Sequence, residues 1–457
     1  MNAVGQDLRD ALESYEHAGA LLRISAEVDW KFEAAAVLWR LQRGPAVLFE
    51  NVRGYEAPLV GNVLNERRKL AIALGVDEPE MQRRLAQALD APRMPVEVGS
   101  GACQEVVLTK DLNLLSILPV PAISELDGGR YLSAGIIVSK DPDTGRRNMA
   151  ISRIHVREDG RLTCYLAPTH TSHFLQRCAE LGRPLEVAVV IGAHPAVMAA
   201  SQFLTPLDEM ELAGAIFGEP LRTVRCRTVD LEVPAGAEVV LEGTIDSAAR
   251  ELEGPFGEFP GTYAPARPNP LIQLTAVTTR QAPMLQMIVA GNHPEHLVTG
   301  AVAREASLLR AVRAVVPGTR AVRMPEGGVC RFHAIVSITK RADGEGKLAA
   351  LTALTHQDLL KNVIVVDDDI DIDDSRHVEW AVATRMRADE DVLIIPGMKS
   401  NPVDAMSRDR MISKLAIDAT LTVGEMRERL PMADVPAEIR ARVADRWSEL
   451  IGNEGVS

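Results

Sequence analysis

Residues 250–263 read RELEGPFGEFPGTY, and two glutamates, Glu253 and Glu258, stand five positions apart within this stretch. Pro255 excludes a helix between them, and the glycines disfavour one. A loop of this kind brings the backbone close to a ligand and points both acids into one pocket. Two carboxylates in one low-dielectric site do not both ionise easily, so one is pushed towards its neutral, proton-donating form. A surface turn with two solvated glutamates is the alternative interpretation.

The sequence on both sides of this loop, from about residue 106 to 290, is dominated by strand patterns. Runs rich in β-branched and aliphatic residues are separated by turn residues such as DPDTGRRN and REDGR. Helices are expected only at 171–181 and 206–217. The strand candidates are QEVVLTK, RYLSAGIIVS, NMAISRIHV, RLTCYLA, PLEVAVVIG, TVRCRTVDLEV, AEVVLEGTI and LIQLTAVTT. Together they predict a β-barrel-like domain with helical insertions.

The two ends of the chain instead alternate helix and strand patterns. Near the C-terminus, KNVIVVDDDID and DVLIIPG are expected to be buried strands, with HVEWAVATRM as a helix between them. This alternation predicts a parallel α/β layer. The last segment, VPAEIRARVADRWSELIG, has Ile439, Val443, Trp447 and Ile451 at four-residue spacing. We expect this amphipathic helix to pack on a second subunit.

Composition excludes several classes of protein. The 457 residues carry a net charge of −13, whereas a nucleic-acid binder needs a basic face. No apolar run reaches the ~18 residues that cross a bilayer, and the acidic N-terminus is unlike a secretory signal. The five cysteines are scattered and form no CxxC, which predicts a reducing, cytoplasmic location. GxGxxG and GxxxxGK[ST] phosphate loops are also absent from the sequence.

Five motifs in a fixed order make the chain resemble the UbiD family of prenylated-FMN-dependent decarboxylases. They are NMAISR (Asn148 to Arg153), THTSH with His170, LDEMELAG with Glu209, LEGPFGEFPG with Glu253 and Glu258, and NVIVVDDDID. The resemblance covers essentially the whole chain. It implies an α+β and α/β multidomain fold with an N-terminal α/β domain (1–105), a split β-barrel cofactor domain like that of flavin reductases (106–295) and a C-terminal α/β oligomerisation domain (296–457).

The resemblance also implies a metal site that clamps the cofactor phosphate. Asn148, His170 and Glu209 match the family's ligands, and their mixed oxygen and nitrogen donors suit Mn²⁺ or Mg²⁺ rather than structural Zn²⁺. A K⁺ is expected nearby. His173 competes with His170, but the spacing to a helix-ending glycine favours His170. This clamp would replace the missing glycine-rich loop.

Arg153, Glu253 and Glu258 match the family's Glu-Arg-Glu triad. The resemblance implies that the substrate adds covalently to prenylated FMN and that CO₂ leaves as the cofactor accepts the electrons. Arg153 would position the leaving carboxylate, since its planar fork matches a carboxylate. Glu258 would then protonate the carbon that lost CO₂, and Glu253 would hold Arg153.

Further cofactor contacts are expected from Ile151, Ser152 and Thr169, and from Lys361 at the phosphate. A solvated lysine at the start of a strand is an equally good interpretation of Lys361. Lys399, in a C-terminal loop, is a candidate for meeting an extra anionic group on the substrate.

These features predict a reversible, non-oxidative decarboxylase of an aromatic, heteroaromatic or α,β-unsaturated carboxylic acid. The resemblance implies a separate flavin prenyltransferase that supplies the cofactor, and a homodimer or homohexamer. Neither nucleic acid nor membrane is expected as a partner. Two rival hypotheses are an FMN-dependent oxidoreductase on the same barrel and a non-catalytic carboxylase subunit. An oxidoreductase gives no reason for the triad, and an inactive copy has no need of all three residues.

Overall fold

The computed structural model describes residues 5–424, 433 and 435–451. They form a first α/β region, a long antiparallel β region and a second α/β region, which confirms the predicted order. Among these residues no helix combines the length and the apolar character needed to cross a membrane. All five cysteines are free thiols.

The first region packs four helices around a small sheet. Its central strand β2 pairs in parallel with β1 and antiparallel with β3. The elements are α1 (Leu8–His17), β1 (Leu21–Ile24), α2 (Glu33–Arg40), β2 (Ala46–Phe49), β3 (Leu59–Gly61), α3 (Arg67–Ala73) and α4 (Glu78–Ala88).

The middle region is built on a nine-stranded sheet in the order β6-β9-β10-β17-β14-β11-β7-β8, with β5 paired to β17. A three-stranded sheet, β13-β12-β4, and the hairpin of β15 and β16 complete it. The elements are β4 (Val96–Glu97), β5 (Val106–Leu108), β6 (Arg130–Leu132), β7 (Ile136–Lys140), β8 (Arg147–Ile151), β9 (Ile154–Val156), β10 (Leu162–Cys164), α5 (His170–Glu180), β11 (Leu185–Ile191), α6 (Pro195–Ala200), α7 (Glu209–Phe217), β12 (Arg222–Arg225), β13 (Glu232–Pro234), β14 (Val239–Glu253), β15 (Phe256–Gly257), β16 (Tyr263–Ala264), β17 (Arg267–Thr279) and β18 (Leu285–Gln286).

Both faces of the large sheet are buried, which explains why its central strands are continuously apolar. Along β11, Val187 and Val189 enter one hydrophobic core, whereas Ala188 and Val190 enter another. This follows from the two-residue period of a strand. Each core also contains residues of the first region, and β18 returns to pair with β3. The domain limits 1–105, 106–295 and 296–457 stay a prediction.

The strand that was expected to carry both Asn148 and Arg153 is interrupted. β8 ends at Ile151 and β9 begins at Ile154, so Arg153 lies in the break between them. The main-chain N–H of Ser152 donates to the carbonyl of Gly135 there. The break frees Arg153 from the strict alternation of a continuous strand, and both side chains are buried.

The second α/β region has a mixed sheet, ordered β19-β20-β21-β23-β22. Only β20, β21 and β23 run in parallel. The prediction that DVLIIPG is a buried parallel strand is wrong, because β22 is an antiparallel edge strand with Ile394 72% exposed. The elements are α8 (Pro294–Val315), β19 (Thr319–Arg323), β20 (His333–Ile338), α9 (Glu345–His356), β21 (Asn362–Asp367), α10 (Ser375–Arg385), β22 (Val392–Lys399) and β23 (Met411–Ala419).

The amphipathic C-terminal segment forms two helices rather than one. They are α11 (Ala437–Asp445) and α12 (Trp447–Ile451), which meet at Arg446. No residue of α11 is buried, and Val443 and Trp447 are both exposed. The apolar stripe is therefore not covered by the described part of its own chain.

Candidate active site

The Gly-Pro loop of residues 254–257 turns the chain where the long strand β14 ends. Glu253 is the last residue of β14, and Gly254 follows with φ of 95°, a left-handed conformation that favours glycine. The short strand β15 comes next, and Glu258 follows it. The main-chain N–H of Gly257 donates to Asp127 at 2.9 Å, which fixes the loop from the side. Both acids are thus held at the same edge of the sheet.

Arg153 lies between the two glutamates. Its Nε donates to Glu253 Oε1 at 3.0 Å and its Nη2 donates to Glu253 Oε2 at 3.1 Å. Its Nη1 donates to Glu258 Oε1. Glu253 is fully buried, while Glu258 keeps part of its side chain exposed. The guanidinium therefore has a structural side, facing Glu253, and an accessible side, facing Glu258.

Glu253 is held by two further side chains. The Tyr131 hydroxyl donates to its Oε1 at 3.1 Å, and Asn269 Nδ2 donates to its Oε2 at 2.6 Å. With the two bonds from Arg153, this carboxylate accepts four hydrogen bonds. These four contacts hold the carboxylate in place, so Glu253 is suited to anchor Arg153.

Aromatic rings fix the Arg153 guanidinium from its faces. Its central carbon lies 4.5 Å from the ring centroid of Tyr165 and 4.9 Å from that of Phe256. Such cation–π contacts orient a planar cation. The motifs gave no reason to single out Tyr131, Tyr165 or Asn269, because residues far apart in sequence meet here only through the fold.

Glu258 has the properties of an acid that can hold a proton near neutral pH. Burial raises its pKa, with Glu253 adding to the rise and Arg153 opposing it. A carboxyl group in this environment can be protonated where an ordinary glutamate is ionised. The two glutamates of the motif are therefore in different environments, since Glu253 is fully buried and hydrogen-bonded on both oxygens, whereas Glu258 is partly exposed and able to donate.

Two cavities meet at this group of side chains. Arg153, Tyr165 and Glu258 line both of them. The inner cavity, of about 180 Å³, is also lined by Ile151 and Ser152, as their predicted cofactor role requires. The outer cavity, of about 210 Å³, is closed by Pro402, Val403 and Ala405 of the C-terminal region. A ligand can thus reach Arg153 and Glu258 from either side.

A second polar cluster lies at the start of β8. Asn148 Oδ1 and His170 Nδ1 are 2.9 Å apart, and Asn148 Nδ2 donates to Thr171 Oγ1 at 3.0 Å. The main-chain N–H of Met149 donates to Glu209 Oε2 at 2.8 Å. The three predicted metal ligands thus converge on one strand end, since His170 begins α5 and Glu209 begins α7.

The environment of Glu209 fits a cation. Glu209 is 2% exposed, and burial raises its pKa to about 8. A bound cation would offset that burial cost, and amide, imidazole and carboxylate donors suit Mn²⁺ or Mg²⁺. Among the described residues no three His, Cys, Asp or Glu side chains are grouped for a metal, so such a site depends on the Asn148 amide.

The other acids and the histidine that compete for the role of metal ligand are either paired elsewhere or more exposed. Both carboxylate oxygens of Asp208 already have partners, because one caps α7 and the other pairs with Arg147 at 2.7 Å. Glu211 is only half-buried, and His173 is exposed. These positions separate them from the more deeply buried Asn148 and Glu209.

The remaining predicted contact residues do not line either cavity. Thr169 is exposed and precedes α5, and it lines neither cavity. Lys361 pairs with Asp404 at 3.0 Å and lies over the ring of Phe332, so its described contacts do not join it to the polar cluster. Its role at a phosphate stays a prediction. Lys399 is 82% exposed and pairs with Asp358, away from both cavities.

The inner cavity also contains His296 and Arg331, and no motif drew attention to Arg331. Arg331, which follows α8 in the chain, and His296, in its first turn, both line the wall that α8 contributes. A buried arginine far from any motif gives no signal in the sequence, because its environment depends on the packing of distant elements.

Three models of the UbiD family match the chain: the 3-octaprenyl-4-hydroxybenzoate carboxy-lyase N-terminal domain at residues 12–89, the Rift-related domain at 95–293 and the C-terminal domain at 297–419. Together they span most of the chain.

Two curated relatives are decarboxylases by name. Anhydromevalonate phosphate decarboxylase of Methanothermobacter thermautotrophicus is 37% identical over 408 residues, covering 87% of this chain and 93% of that protein. Phenolic acid decarboxylase of Bacillus subtilis is 35% identical over 450 residues, covering 92% and 93%.

Among solved structures, the chain is similar to the UbiD-class enzyme HmfF from Pelotomaculum thermopropionicum. The structure of HmfF in complex with FMN has a TM-score of 0.91 and 41% identity, covering 96% of this chain and 99% of that one. An evolved dimeric form of HmfF in complex with prFMN has a TM-score of 0.88 and 40% identity, covering 96% and 100%.

Proposed function

Because the chain belongs to the UbiD family and is a carboxy-lyase of that class, we propose that it catalyses the reversible, non-oxidative decarboxylation of an aromatic, heteroaromatic or α,β-unsaturated carboxylic acid. The proposal includes prenylated FMN as cofactor and Arg153, Glu253 and Glu258 as the catalytic groups. The reaction type is supported by the relative named phenolic acid decarboxylase, and the cofactor is supported by HmfF in complex with prFMN.

The observation that carries the proposal is Arg153 held between an anchored and an accessible glutamate. Glu253 occupies Nε and Nη2, so the Nη1 side, which also contacts Glu258, is the one that turns towards a ligand in the cavities. A carboxylate on that side would meet a cation whose orientation is already fixed by Tyr165 and Phe256. Such preorganisation lowers the entropic cost of holding the substrate in reactive geometry.

Glu258 supplies the proton in this mechanism. Decarboxylation replaces a carboxylate by hydrogen, so each turnover consumes one proton at the carbon that lost CO₂. Glu258 lines both cavities beside Arg153, and burial raises its pKa so that a protonated form is available. Positioned proton transfer is worth roughly 10²–10⁴-fold in rate. Water then reprotonates Glu258 from the outer cavity.

The polar cluster at β8 is suited to hold the phosphate end of the cofactor through a divalent cation. Asn148, His170 and Glu209 would ligate Mn²⁺ or Mg²⁺, and a K⁺ is expected nearby. Strand β8 links this cluster to the triad, because Asn148 lies within the strand and Arg153 follows its end by two residues. When bound, prenylated FMN supplies the electron sink that free amino-acid side chains lack.

The experiment is to produce the protein with and without a flavin prenyltransferase and to measure CO₂ release from a panel of unsaturated and aromatic acids. We expect turnover only after co-production, with the absorption spectrum and mass of prenylated FMN in the purified protein. Equal turnover with unmodified FMN would contradict the proposed cofactor. Oxidation of a nicotinamide without CO₂ release would favour an FMN-dependent oxidoreductase. The absence of any turnover would favour a non-catalytic subunit.

A further inference from the structure

The turn at residues 124–129, which precedes β6, lies against the loop that joins the two glutamates of the triad. The main-chain N–H of Gly257 donates to Asp127 Oδ1 at 2.9 Å. The main-chain N–H of Gly128 donates to the carbonyl of Pro255 at 2.8 Å. Two consecutive residues of the turn thus hold the middle and the end of the loop.

Asp127 uses both of its carboxylate oxygens to accept main-chain N–H groups. Its Oδ2 accepts the N–H of Ser124 at 3.0 Å, and its own main-chain N–H donates to the Ser124 carbonyl at 3.1 Å. Neither oxygen pairs with a cation in the described part of the chain. A charged acceptor makes a stronger hydrogen bond than a neutral one, so the contact with Gly257 depends on this carboxylate.

The start of the same loop is held from β6. The Tyr131 hydroxyl accepts the main-chain N–H of Gly254 at 3.1 Å and donates to Glu253. A Cβ at Gly128 would overlap the Gly254 carbonyl oxygen, so the turn approaches the loop this closely only with glycine there. The first glutamate is therefore supported by Tyr131, and the second by Asp127.

Glu258 follows Gly257 directly and depends on the same contact. Gly257 pairs with Tyr263 in the hairpin of β15 and β16, whose strands are only two residues long. A two-stranded hairpin of this size is marginally stable by itself. The turn adds a second link, because the main-chain N–H of Leu126 donates to the Tyr263 hydroxyl at 3.2 Å. The position of Glu258 is therefore set by the turn as well as by the hairpin.

Resting on the decarboxylase function proposed above, we propose that Asp127 is a positioning residue, which fixes Gly257 and thereby holds the Glu258 carboxyl group in the geometry that proton transfer requires. Asp127 lines neither cavity, so it acts through the main chain rather than by contact with a ligand. A misplacement of a reacting group by about 1 Å costs roughly 10²-fold in rate, so a small shift of the loop is sufficient to slow the reaction.

The contact with Gly257 also depends on pH. Burial raises the pKa of Asp127 to about 6, with Glu253 adding to the rise, whereas the N–H groups of Gly257 and Ser124 and the charge of Arg153 oppose it. A protonated carboxyl turns one acceptor oxygen into a donor and so loses one of its two N–H contacts. Asp127 therefore holds the loop fully above about pH 6 and less well below it. The other titratable groups that face the turn are Tyr131 of β6, His155 of β9 and Tyr263 of β16.

Hydrogen exchange of the main-chain amides tests this contact without a substrate. Full-length wild type and Asp127→Asn are compared by mass spectrometry of the peptides that contain residues 253–258. Asparagine keeps the size of the side chain but offers one acceptor oxygen instead of two. We expect the variant to exchange about 10- to 100-fold faster in this loop at pH 7, the range for a hydrogen bond to a charged group.

The wild type provides the same test without a substitution. Its loop exchange, divided by the intrinsic rate at each pH, should speed up as pH falls through about 6, because Asp127 becomes protonated. This series applies even if Asp127→Asn fails to fold. Asp246→Asn is the matched control, since Asp246 is an exposed residue of β14 that accepts the main-chain N–H of Ala248 at 2.9 Å. Its loop exchange should equal that of the wild type.

Kinetics of the prenylated holoenzyme connect the contact to proton transfer. With the acid that the wild type converts fastest, Asp127→Asn should lower kcat about 10- to 100-fold and leave KM nearly unchanged, because the substrate does not touch Asp127. The wild-type kcat should fall as pH drops through about 6, and the variant should lack this acid limb. Asp127→Glu, which keeps the charge, should regain part of kcat and the acid limb.

Two outcomes would overturn the proposal. One is loop exchange in Asp127→Asn equal to that of the wild type, and the other is wild-type kcat and acid limb in this variant. Either result, with CO₂ released by the wild type, would leave the decarboxylase function standing. Faster loop exchange in the variant, without CO₂ release from any acid by the wild type, would contradict the decarboxylase function and still support the contact between Asp127 and Gly257.

Discussion

Arg153 and Glu253 are joined by two parallel hydrogen bonds, of 3.0 Å from Nε and 3.1 Å from Nη2, although they lie 100 residues apart in the sequence. This bidentate pair is buried and connects the break between β8 and β9 to the end of β14. It leaves one edge of the guanidinium for Glu258 and a ligand. The pair is therefore both a structural link and the support of the candidate catalytic group.

Removing Glu253 should destabilise the protein because it leaves Arg153 as a buried, partly unpaired charge. We expect Glu253→Ala to lower the free energy of unfolding by about 3 kcal/mol, as is typical for breaking a buried pair. Urea denaturation of the cofactor-free protein measures this. Glu251→Ala, which removes a partner of the surface arginine Arg161, is the matched control and should cost at most about 1 kcal/mol. Equal losses in the two variants would show that the buried pair is not special.

Glu258→Gln keeps the shape of the side chain and removes the acid. Turnover of a true substrate should fall by at least ~10²-fold, while cofactor binding persists. In D₂O the wild type should place deuterium at the carbon that carried CO₂, which NMR of the product detects. Near-normal turnover by the variant would assign the proton to another group.

The raised pKa of Glu258 predicts how activity depends on pH. Burial raises this pKa above the ordinary value of 4.5, so the folded protein retains the proton at a pH where a free glutamate has lost it. If the protonated form is required, kcat/KM for decarboxylation falls as pH rises through the raised pKa.

The raised pKa of Glu258 also affects the stability of the fold. Below the ordinary pKa, Glu258 is protonated in both the folded and the unfolded protein, so it does not lower the free energy of unfolding. Above the raised pKa, Glu258 is ionised in both states, and its buried charge lowers the free energy of unfolding. A pH profile of CO₂ release with the prenylated holoenzyme tests the catalytic part. A flat alkaline limb up to about pH 9 would contradict an essential acid of this kind.

Glu209→Ala should remove metal and cofactor together, since losing one ligand weakens the whole clamp. Elemental analysis and flavin absorbance of the purified variant measure the two occupancies. Glu211→Ala, on the same helix but half-buried, is the control and should retain both. Wild-type occupancy in Glu209→Ala would show that another glutamate is the ligand.

The uncovered stripe on α11 and α12 predicts an oligomer. Trp447 is 54% exposed and Val443 is 38% exposed, and apolar surface of this kind marks a contact between subunits. Deleting the residues after Pro436 should convert a dimer, or a hexamer built from dimers, into monomers or aggregates. Light scattering measures the mass, and a monomeric intact protein at micromolar concentration would refute the expectation.

The sequence was sufficient where function depends on short, local patterns. The Glu253–Glu258 loop follows from proline and glycine chemistry, and the strand character of the middle region follows from its β-branched runs. The five ordered motifs led to the UbiD family, which the family models and relatives bear out. The edge position of β22 could not be predicted in this way, because a short apolar run is compatible with a buried or an edge strand.

Motif order and local chain chemistry alone determined the family, the sequence of fold regions and the residues proposed for the triad and the metal site. Only the tertiary structure decided which of these side chains touch and what surrounds them. It joined Arg153 to Glu253, paired Lys361 with Asp404 and placed Arg331 in the wall of the inner cavity. The physical reason is that pairing and burial depend on distances between segments far apart in the chain, and local periodicity carries no information about those distances.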